Sequence, residues 1–192
     1  MVRPITLAGF EDTFGASDDP WRTFSDRDEA HKRDAILHAL GPGPFGRVLE
    51  LGAGNGSNSV ALARRALRLD ATEGTARGTA LTRSALADRP RARAIELALP
   101  ARFPRARYDA AVVAELLYYL PVRDMARVAR DVAAAVRTGG RLVLAHHRVD
   151  FHDFAQHADG IHRRFLGATG RGWTAGPVVR TGRWLVQGLT AR

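Results

Sequence analysis

Three glycines at alternating positions, Gly52, Gly54 and Gly56, sit in the run R-V-L-E-L-G-A-G-N-G-S-N-S from Arg47 to Ser59. Without a Cβ, such a turn bends sharply and lets backbone come close to a bound ligand. Alone it is a weak signature, because nucleotide sites of several kinds use one. Glu73 sharpens it: it follows Gly52 by about twenty residues, where a carboxylate at the end of a second strand can accept ribose hydroxyls. Asp70 competes for that role, but the helix expected from about Thr75 follows Glu73 without a gap. The other reading of Glu73 is electrostatic capping of that helix.

A second group of residues could act on an acceptor. His146, His147 and His162 carry imidazoles, which titrate near neutral pH and can take a proton from an ammonium or hydroxyl. Neighbours along a strand point to opposite faces, so only one of His146 and His147 is expected to face the acceptor, and either could instead be a satisfied structural histidine. Glu115 could bind an amine, anchor a cofactor or cap the segment after it. Tyr118 and Tyr119 could form an aromatic wall, although as consecutive residues of a helix they would diverge. His146, His147, His152, Asp153, His157 and His162 include zinc-ligand types, yet their spacing matches no closed motif, and no metal is assigned.

The elements that must position these groups can be read from periodicity. Residues 1–20 lack it and read as an arm or flap, with turn formers from Gly15 to Pro20. A helix is expected from about Ser25, capped by that serine, with Ala35, Ile36, Ala39 and Leu40 inward and G-P-G-P at Gly41 to Pro44 as its stop. Strands are expected over Arg47–Leu51, Ala66–Ala71, Ala92–Leu97, Asp109–Ala114 and Arg141–Ala145. Helices fall between them, after Ser57, Asn58 and Ser59, after Thr75 and over Val122–Val136. T-G-G should end the last of these. A helix over Asp150–Leu166 and two strands near Trp173–Arg180 and Arg183–Thr190 follow, the last antiparallel to its neighbour. Strands alternating with helices describe a Rossmann-like, doubly wound, mostly parallel α/β sheet whose ligands lie beyond the strands' carboxyl ends.

Composition sets the outer limits. At 192 residues the chain suits one α/β domain, expected as an N-terminal arm and helix over 1–44, a cofactor-binding core over 45–148 and a C-terminal helix and closing strands over 149–192. There is no cysteine, which excludes disulfides, thiolate metal sites and cysteine nucleophiles. No signal peptide or spanning segment is apparent, so a cytoplasmic protein without a membrane partner is the expectation. The net charge of +9 raises nucleic-acid binding, but Lys32 is the sole lysine and the arginines are spread along the chain without one dense tract. That distribution argues against nucleic acid and leaves a small-molecule substrate as the expected partner.

The motifs together carry a family resemblance. E-L-G-A-G-N-G, Glu73, Y-D-A-A-V-V-A-E-L-L-Y-Y-L and G-G-R-L-V-L-A-H-H resemble class I S-adenosylmethionine-dependent methyltransferases over about residues 45 to 148. Ser57 stands where a dinucleotide site wants a third glycine, which favours this reading over an NAD site. D-P-W at Asp19 to Trp21, E-A-H-K at Glu29 to Lys32, E-L-L-Y-Y-L, and A-H-H-R followed by D-G-I-H at Asp159 to His162 are similar to the NodS-like branch, whose namesake methylates an amino-sugar nitrogen. The segment from about residue 163 matches least well.

The resemblance implies S-adenosyl-L-methionine as cofactor, held by Glu50, Gly52, Ala53, Gly54, Gly56 and Asn58, by Glu73 and Gly74 at the ribose, by Leu97 near the adenine, and by Glu115 and Leu116. Glu96 lies near the adenine position without being assigned to it. Trp21 and Lys32 would close over the cofactor, Lys32 pairing with its carboxylate; the other readings are a core or staple residue for Trp21 and an ordinary solvated helix residue for Lys32. Tyr118 and Tyr119 would line the acceptor, and His146, His147 and His162 would supply the base. The implied activity is methyl transfer to nitrogen or hydroxyl of a small polar acceptor, first an amino sugar or glycan. An RNA methyltransferase is a second reading, weakened because A-E-L-L replaces the N-P-P-Y type signature after strand four. A non-catalytic cofactor-binding regulator is a third.

Overall fold

The computed structural model describes residues 4–192; the first three residues of the expected arm lie outside them. Seven strands form one sheet: β1 (Val48–Leu51), β2 (Leu69–Glu73), β3 (Ala92–Glu96), β4 (Tyr108–Ala114), β5 (Val136–His147), β6 (Trp173–Arg180) and β7 (Trp184–Ala191), in the order β3-β2-β1-β4-β5-β7-β6. The first five run parallel, and β7 is antiparallel to both β5 and β6. The order reverses between β1 and β4, which opens a crevice at their carboxyl ends.

Burial on both faces explains the apolar runs. Odd and even residues of the central strands go to opposite sides. Leu49, Leu51, Val113, Leu142 and Leu144 pack with Val128 and Val132 of α5 (Val122–Ala135) and Phe165 of α6 (Ile161–Ala168). Val48, Val112, Val143 and Trp184 pack on the other side with Ile36 and Leu40 of α2 (Arg27–Leu40) and Leu62 of α3 (Ser57–Leu62). The remaining helices are α1 (Leu7–Ala16) and α4 (Ala76–Ala85). Among the described residues no helix is long and apolar enough to cross a membrane.

Several expectations are corrected. The supposed irregular arm contains α1, capped by Thr6, whose hydroxyl accepts the Gly9 N–H at 3.2 Å. Leu7, Phe10 and Phe14 repeat at helical spacing, a stripe masked in the sequence by the turn formers that follow it. Asp26, not Ser25, caps α2 by accepting the Asp28 N–H at 2.7 Å. The second strand starts at Leu69 rather than Ala66 and ends on Glu73, so the acid belongs to the strand itself.

T-G-G does not stop α5. β5 begins at Val136 and runs through those glycines, with the β4–β5 register shifting between Tyr108 and Ala110. A Cβ on Gly140 would lie 2.7 Å from the Arg137 carbonyl and 2.9 Å from the Asp109 carbonyl, so glycine permits the irregularity. The helix expected from Asp150 starts only at Ile161. Asp150 instead holds a loop, accepting the Ala158 N–H at 2.6 Å and meeting His157 Nδ1 at 2.5 Å. A short acid that binds local backbone donors competes with helix formation in this way.

Candidate active site

The glycine turn, the end of β2, the residues after β4 and β5, and α1 enclose a cavity of about 530 Å³ at the crevice. Gly52, Gly54 and Gly56 have φ of +69°, +61° and +87°, a region costly for side chains with a Cβ. Gly56 is also tight: a Cβ there would stand 3.0 Å from Thr82 Cα and Ala85 Cβ of α4. Gly52, Ala53, Gly54 and Asn58 line the cavity, whereas Gly56 supports the turn from behind.

Glu73 faces the cavity and is already tied to protein. One oxygen accepts the Gly54 N–H at 3.0 Å; the other accepts the Thr75 N–H at 3.0 Å and its hydroxyl at 2.9 Å. The same carboxylate thus links the glycine turn to the cap of α4 and presents an edge to a ligand. Burial pushes its pKa up, and those hydrogen bonds only partly oppose the shift. Gly74, Leu97 and Leu99 continue the lining, while Glu96 is exposed and does not take part. Glu50 does not reach the cavity: it is buried under the turn, accepts the Ser59 hydroxyl at 2.6 Å, and desolvation raises its pKa to about 8. Asp70, the competing acid, is held by Arg93 at 2.6 Å and by the Tyr108 hydroxyl at 3.0 Å, away from the lining.

Glu115 is the hub of the opposite wall. It sits just after β4 at φ +50°, a conformation unusual for a glutamate. Its Oε1 meets Lys32 Nζ at 2.6 Å, and its Oε2 accepts the Tyr118 hydroxyl and the His147 N–H, the latter at 3.3 Å. Lys32 is only 2% exposed and also binds Glu29 at 2.7 Å, which leaves one ammonium N–H unused. Burial alone would lower its pKa, but the two carboxylates more than offset that and hold it raised. Tyr118 and Tyr119 lie on a 3-10 turn, Leu117–Tyr119, and do not diverge: both line the cavity with ring centroids 4.8 Å apart. Burial, followed by the nearby Glu115 charge, holds the Tyr118 phenol well above its usual range.

The three histidines separate. His147 lines the cavity, its Nε2 3.8 Å from Glu115 Oε2. His146 points to the other face of the sheet and is 1% exposed, with Nε2 3.2 Å from the Leu117 N–H and Nδ1 3.0 Å from His162 Nε2. Desolvation first, then neighbouring His162, Lys32 and His147, drives the His146 pKa well down, and burial lowers that of His162 to about 4. Neither His146 nor His162 belongs to the lining.

A model of the methyltransferase-domain family matches residues 24–180. The chain belongs to this methyltransferase-domain family. No curated protein matches its sequence. Among solved structures it is similar to a candidate methyltransferase from Pseudomonas syringae, at 27% identity and TM-score 0.73 over 87% of this chain and 100% of that one. The N-methyltransferase NodS of Bradyrhizobium japonicum WM9, solved with S-adenosyl-L-homocysteine, superposes with TM-score 0.81 at 19% identity, covering 96% and 97% of the two chains. DhpI, also solved with S-adenosylhomocysteine, gives 0.75 at 20% identity over 96% and 94%. At those identities NodS and DhpI attest the fold alone.

The site of this methyltransferase includes residues that the sequence did not single out. Asn55 donates to Asp19 at 2.9 Å and accepts the Thr23 hydroxyl at 2.9 Å, clasping the segment before α2 onto the glycine turn. Hydrogen bonds from Thr23, Phe24 and Asn55 keep the Asp19 carboxyl below its usual pKa against the opposing effect of burial. Phe10 and Phe14 of α1 line the roof beside Trp21, which is 44% exposed and packs edge-on to Phe14 at 5.3 Å. Helical spacing in α1 could have flagged the two phenylalanines; nothing local marks Asn55. Asp124 at the start of α5 and His152 and Asp153 complete the lining beside Tyr119, and no residue beyond Asp153 lines the cavity. Among the described residues, no three histidine or acidic side chains converge as metal ligands.

Proposed function

We propose that this methyltransferase uses S-adenosyl-L-methionine to methylate the nitrogen of a small polar amine, with amino sugars and glycans the first acceptors to try. One observation supports nitrogen: Glu29, Glu115, Asp124 and Asp153 line the acceptor side, while among the described residues Lys32, itself gripped by Glu29 and Glu115, is the only lysine or arginine in the lining, in a chain of net charge +9. An ammonium is attracted by that field; a phosphorylated or carboxylated acceptor is repelled.

The residues present fit such a cofactor. A cavity of about 530 Å³ falls in the usual range for small-molecule sites, glycine backbone leaves room for close approach, and leucines at 97, 99 and 116 supply an apolar surface for a base. Glu73 would accept ribose hydroxyl hydrogen bonds, and the free N–H of Lys32 is available to a carboxylate. When bound, the cofactor supplies an electrophilic methyl group on a sulfonium. The protein's task is then to hold the acceptor in line and strip it of a proton, and positioning of this kind contributes roughly 7–11 kcal/mol. In this reading His147 takes the ammonium proton on its imidazole, leaving the amine lone pair free, and Glu115 stabilises the imidazolium that results.

Calorimetry tests the cofactor assignment: S-adenosylhomocysteine is expected to bind with micromolar-range affinity, weakened at least about tenfold in Glu73→Ala, the equivalent of one charged hydrogen bond. Unchanged affinity would remove Glu73 from the ribose role. Incubation with S-adenosylmethionine and a panel of amino sugars, glycans and small amines, read by mass spectrometry, tests the activity. His147→Ala should cut turnover on any acceptor found by about a hundredfold or more while leaving S-adenosylhomocysteine affinity nearly intact. Absence of transfer to every amine would favour a non-catalytic cofactor-binding protein.

A further inference from the structure

The acceptor wall needs something to hold it. Glu115, Tyr118 and Tyr119 all hang on the segment from Glu115 to Leu120, which begins with Glu115 at φ +50° and continues into a single 3-10 turn. A glutamate stays in that region only when its surroundings fix it. One anchor is the Glu115 N–H, donated to the Ala145 carbonyl at 2.8 Å; another is the Tyr118 carbonyl, which accepts from Ala155 at 2.8 Å and Gln156 at 3.1 Å. The third is His146. The Leu117 N–H, 3.2 Å from its Nε2, can only donate, so that nitrogen must be unprotonated and the ring proton lies on Nδ1, directed at His162 Nε2 3.0 Å away on α6. The His146 ring also stands edge-on to Tyr118, with centroids 5.4 Å apart.

We propose that His146, as the neutral Nδ1–H tautomer, is a positioning residue that fixes the acceptor wall through the Leu117 N–H, with His162 selecting the tautomer. His146 touches neither cofactor nor acceptor and acts through Glu115 and Tyr118; calling that segment the acceptor wall rests on the function proposed above. The groups that face it are Lys32 from α2, His147 from its own strand, His162 from α6, and Glu115 and Tyr118 from the turn. The surrounding burial, and the Lys32 ammonium among these groups, favour the uncharged ring that the geometry requires.

The assignment is tested without knowing the acceptor. In the whole protein, nitrogen-15 spectra of the histidine side chains should find His146 as the Nδ1–H tautomer from pH 6 to 8; an Nε2–H tautomer or an imidazolium would overturn the proposal. Amide exchange then reads the anchor. In His146→Leu, which keeps bulk but loses the acceptor, the Leu117 amide should exchange about tenfold faster or more, the scale of one lost hydrogen bond, with the β1 and β2 amides unchanged. In His146→Gln, whose side-chain oxygen can accept the same N–H while its NH₂ meets His162, protection should return to within about threefold of the original. Calorimetry of S-adenosylhomocysteine on the unaltered protein reads the cofactor site independently of the tautomer and of the Leu117 amide, which separates failure of this idea from failure of the cofactor reading. Equal exchange in the leucine and glutamine variants, or acceleration spread evenly over the sheet, would show that His146 merely fills space.

Discussion

Replacing Lys32 with methionine is expected to lower the free energy of unfolding by about 2–3 kcal/mol. Removing one partner from a buried ion pair typically costs about 3–5 kcal/mol, because the other partner is left desolvated and uncompensated. Here Lys32 has two partners, which argues for the full cost, but the side chains of Glu29 and Glu115 are 20% and 26% exposed, so water recovers part of it. Methionine keeps most of the volume, so the loss reports charge rather than a cavity. Without the ammonium, Glu29 and Glu115 repel each other and the deficit should grow as pH rises from 5 to 8. Urea unfolding followed by circular dichroism measures it, and Lys32→Met combined with Glu29→Gln should recover part of the loss. A change below about 1 kcal/mol at neutral pH would mean that the triad is solvated enough to be dispensable.

The second large effect is on the pH dependence of stability, where two buried groups pull in opposite directions. His162 has a folded pKa of about 4, against about 6.5 when unfolded. As pH falls below 6.5 the unfolded chain takes a proton that the folded chain refuses, so stability is present above that pH and is lost on acidification, by about 2 kcal/mol between pH 7.5 and 5. Glu50 behaves in the opposite sense: its folded pKa of about 8 lies above the unfolded value, so its contribution is intact below about 4.5 and falls away as pH rises, by about 3 kcal/mol between pH 5 and 7.5. His146, lowered by burial, adds to the slope from His162, and Glu73, raised by burial, adds to that from Glu50, so the native profile should be shallower than either pair alone would give. His162→Gln should make stability fall more steeply with rising pH, and Glu50→Gln should make it rise. Parallel profiles in all three proteins, from urea midpoints at five pH values, would contradict both assignments.

Much of this architecture was legible because a parallel sheet covered on both faces requires uninterrupted apolar strands, and D-A-A-V-V-A and V-L-E-L can be little else. The glycine turn stood out because its backbone adopts conformations that few residues other than glycine tolerate, and Glu73 stood out by its spacing from that turn. The misreadings have physical causes. T-G-G looks like a helix stop, but Gly140 is needed because two carbonyls crowd its Cβ position inside a strand. Whether His146 or His147 enters the cavity depends on which side of the sheet the crevice opens, a fact about the strand order and not about either residue. Lys32 was visible as a solitary lysine, yet its partner Glu115 is 83 residues away, and no local pattern encodes that pairing. Asn55 likewise makes its clasp across 36 residues to Asp19.

The placing of β7 has a temporal consequence. Helix α2, which carries Lys32 and Glu29, rests on that strand: Trp184 donates its indole N–H to Asp28 at 3.0 Å across 156 residues, and Gly188 leaves its Cβ position to the Ala39 carbonyl 2.7 Å away. Strand β7 also lies between β5 and β6, so the sheet cannot close without it. During synthesis the glycine turn, β1 and β2 emerge early and can pair locally, but the helix that clamps Glu115 lacks the β7 part of its floor until residues 184–191 have left the ribosome. A nascent chain would therefore gain a place for the nucleotide well before it gains a place for the molecule to be methylated.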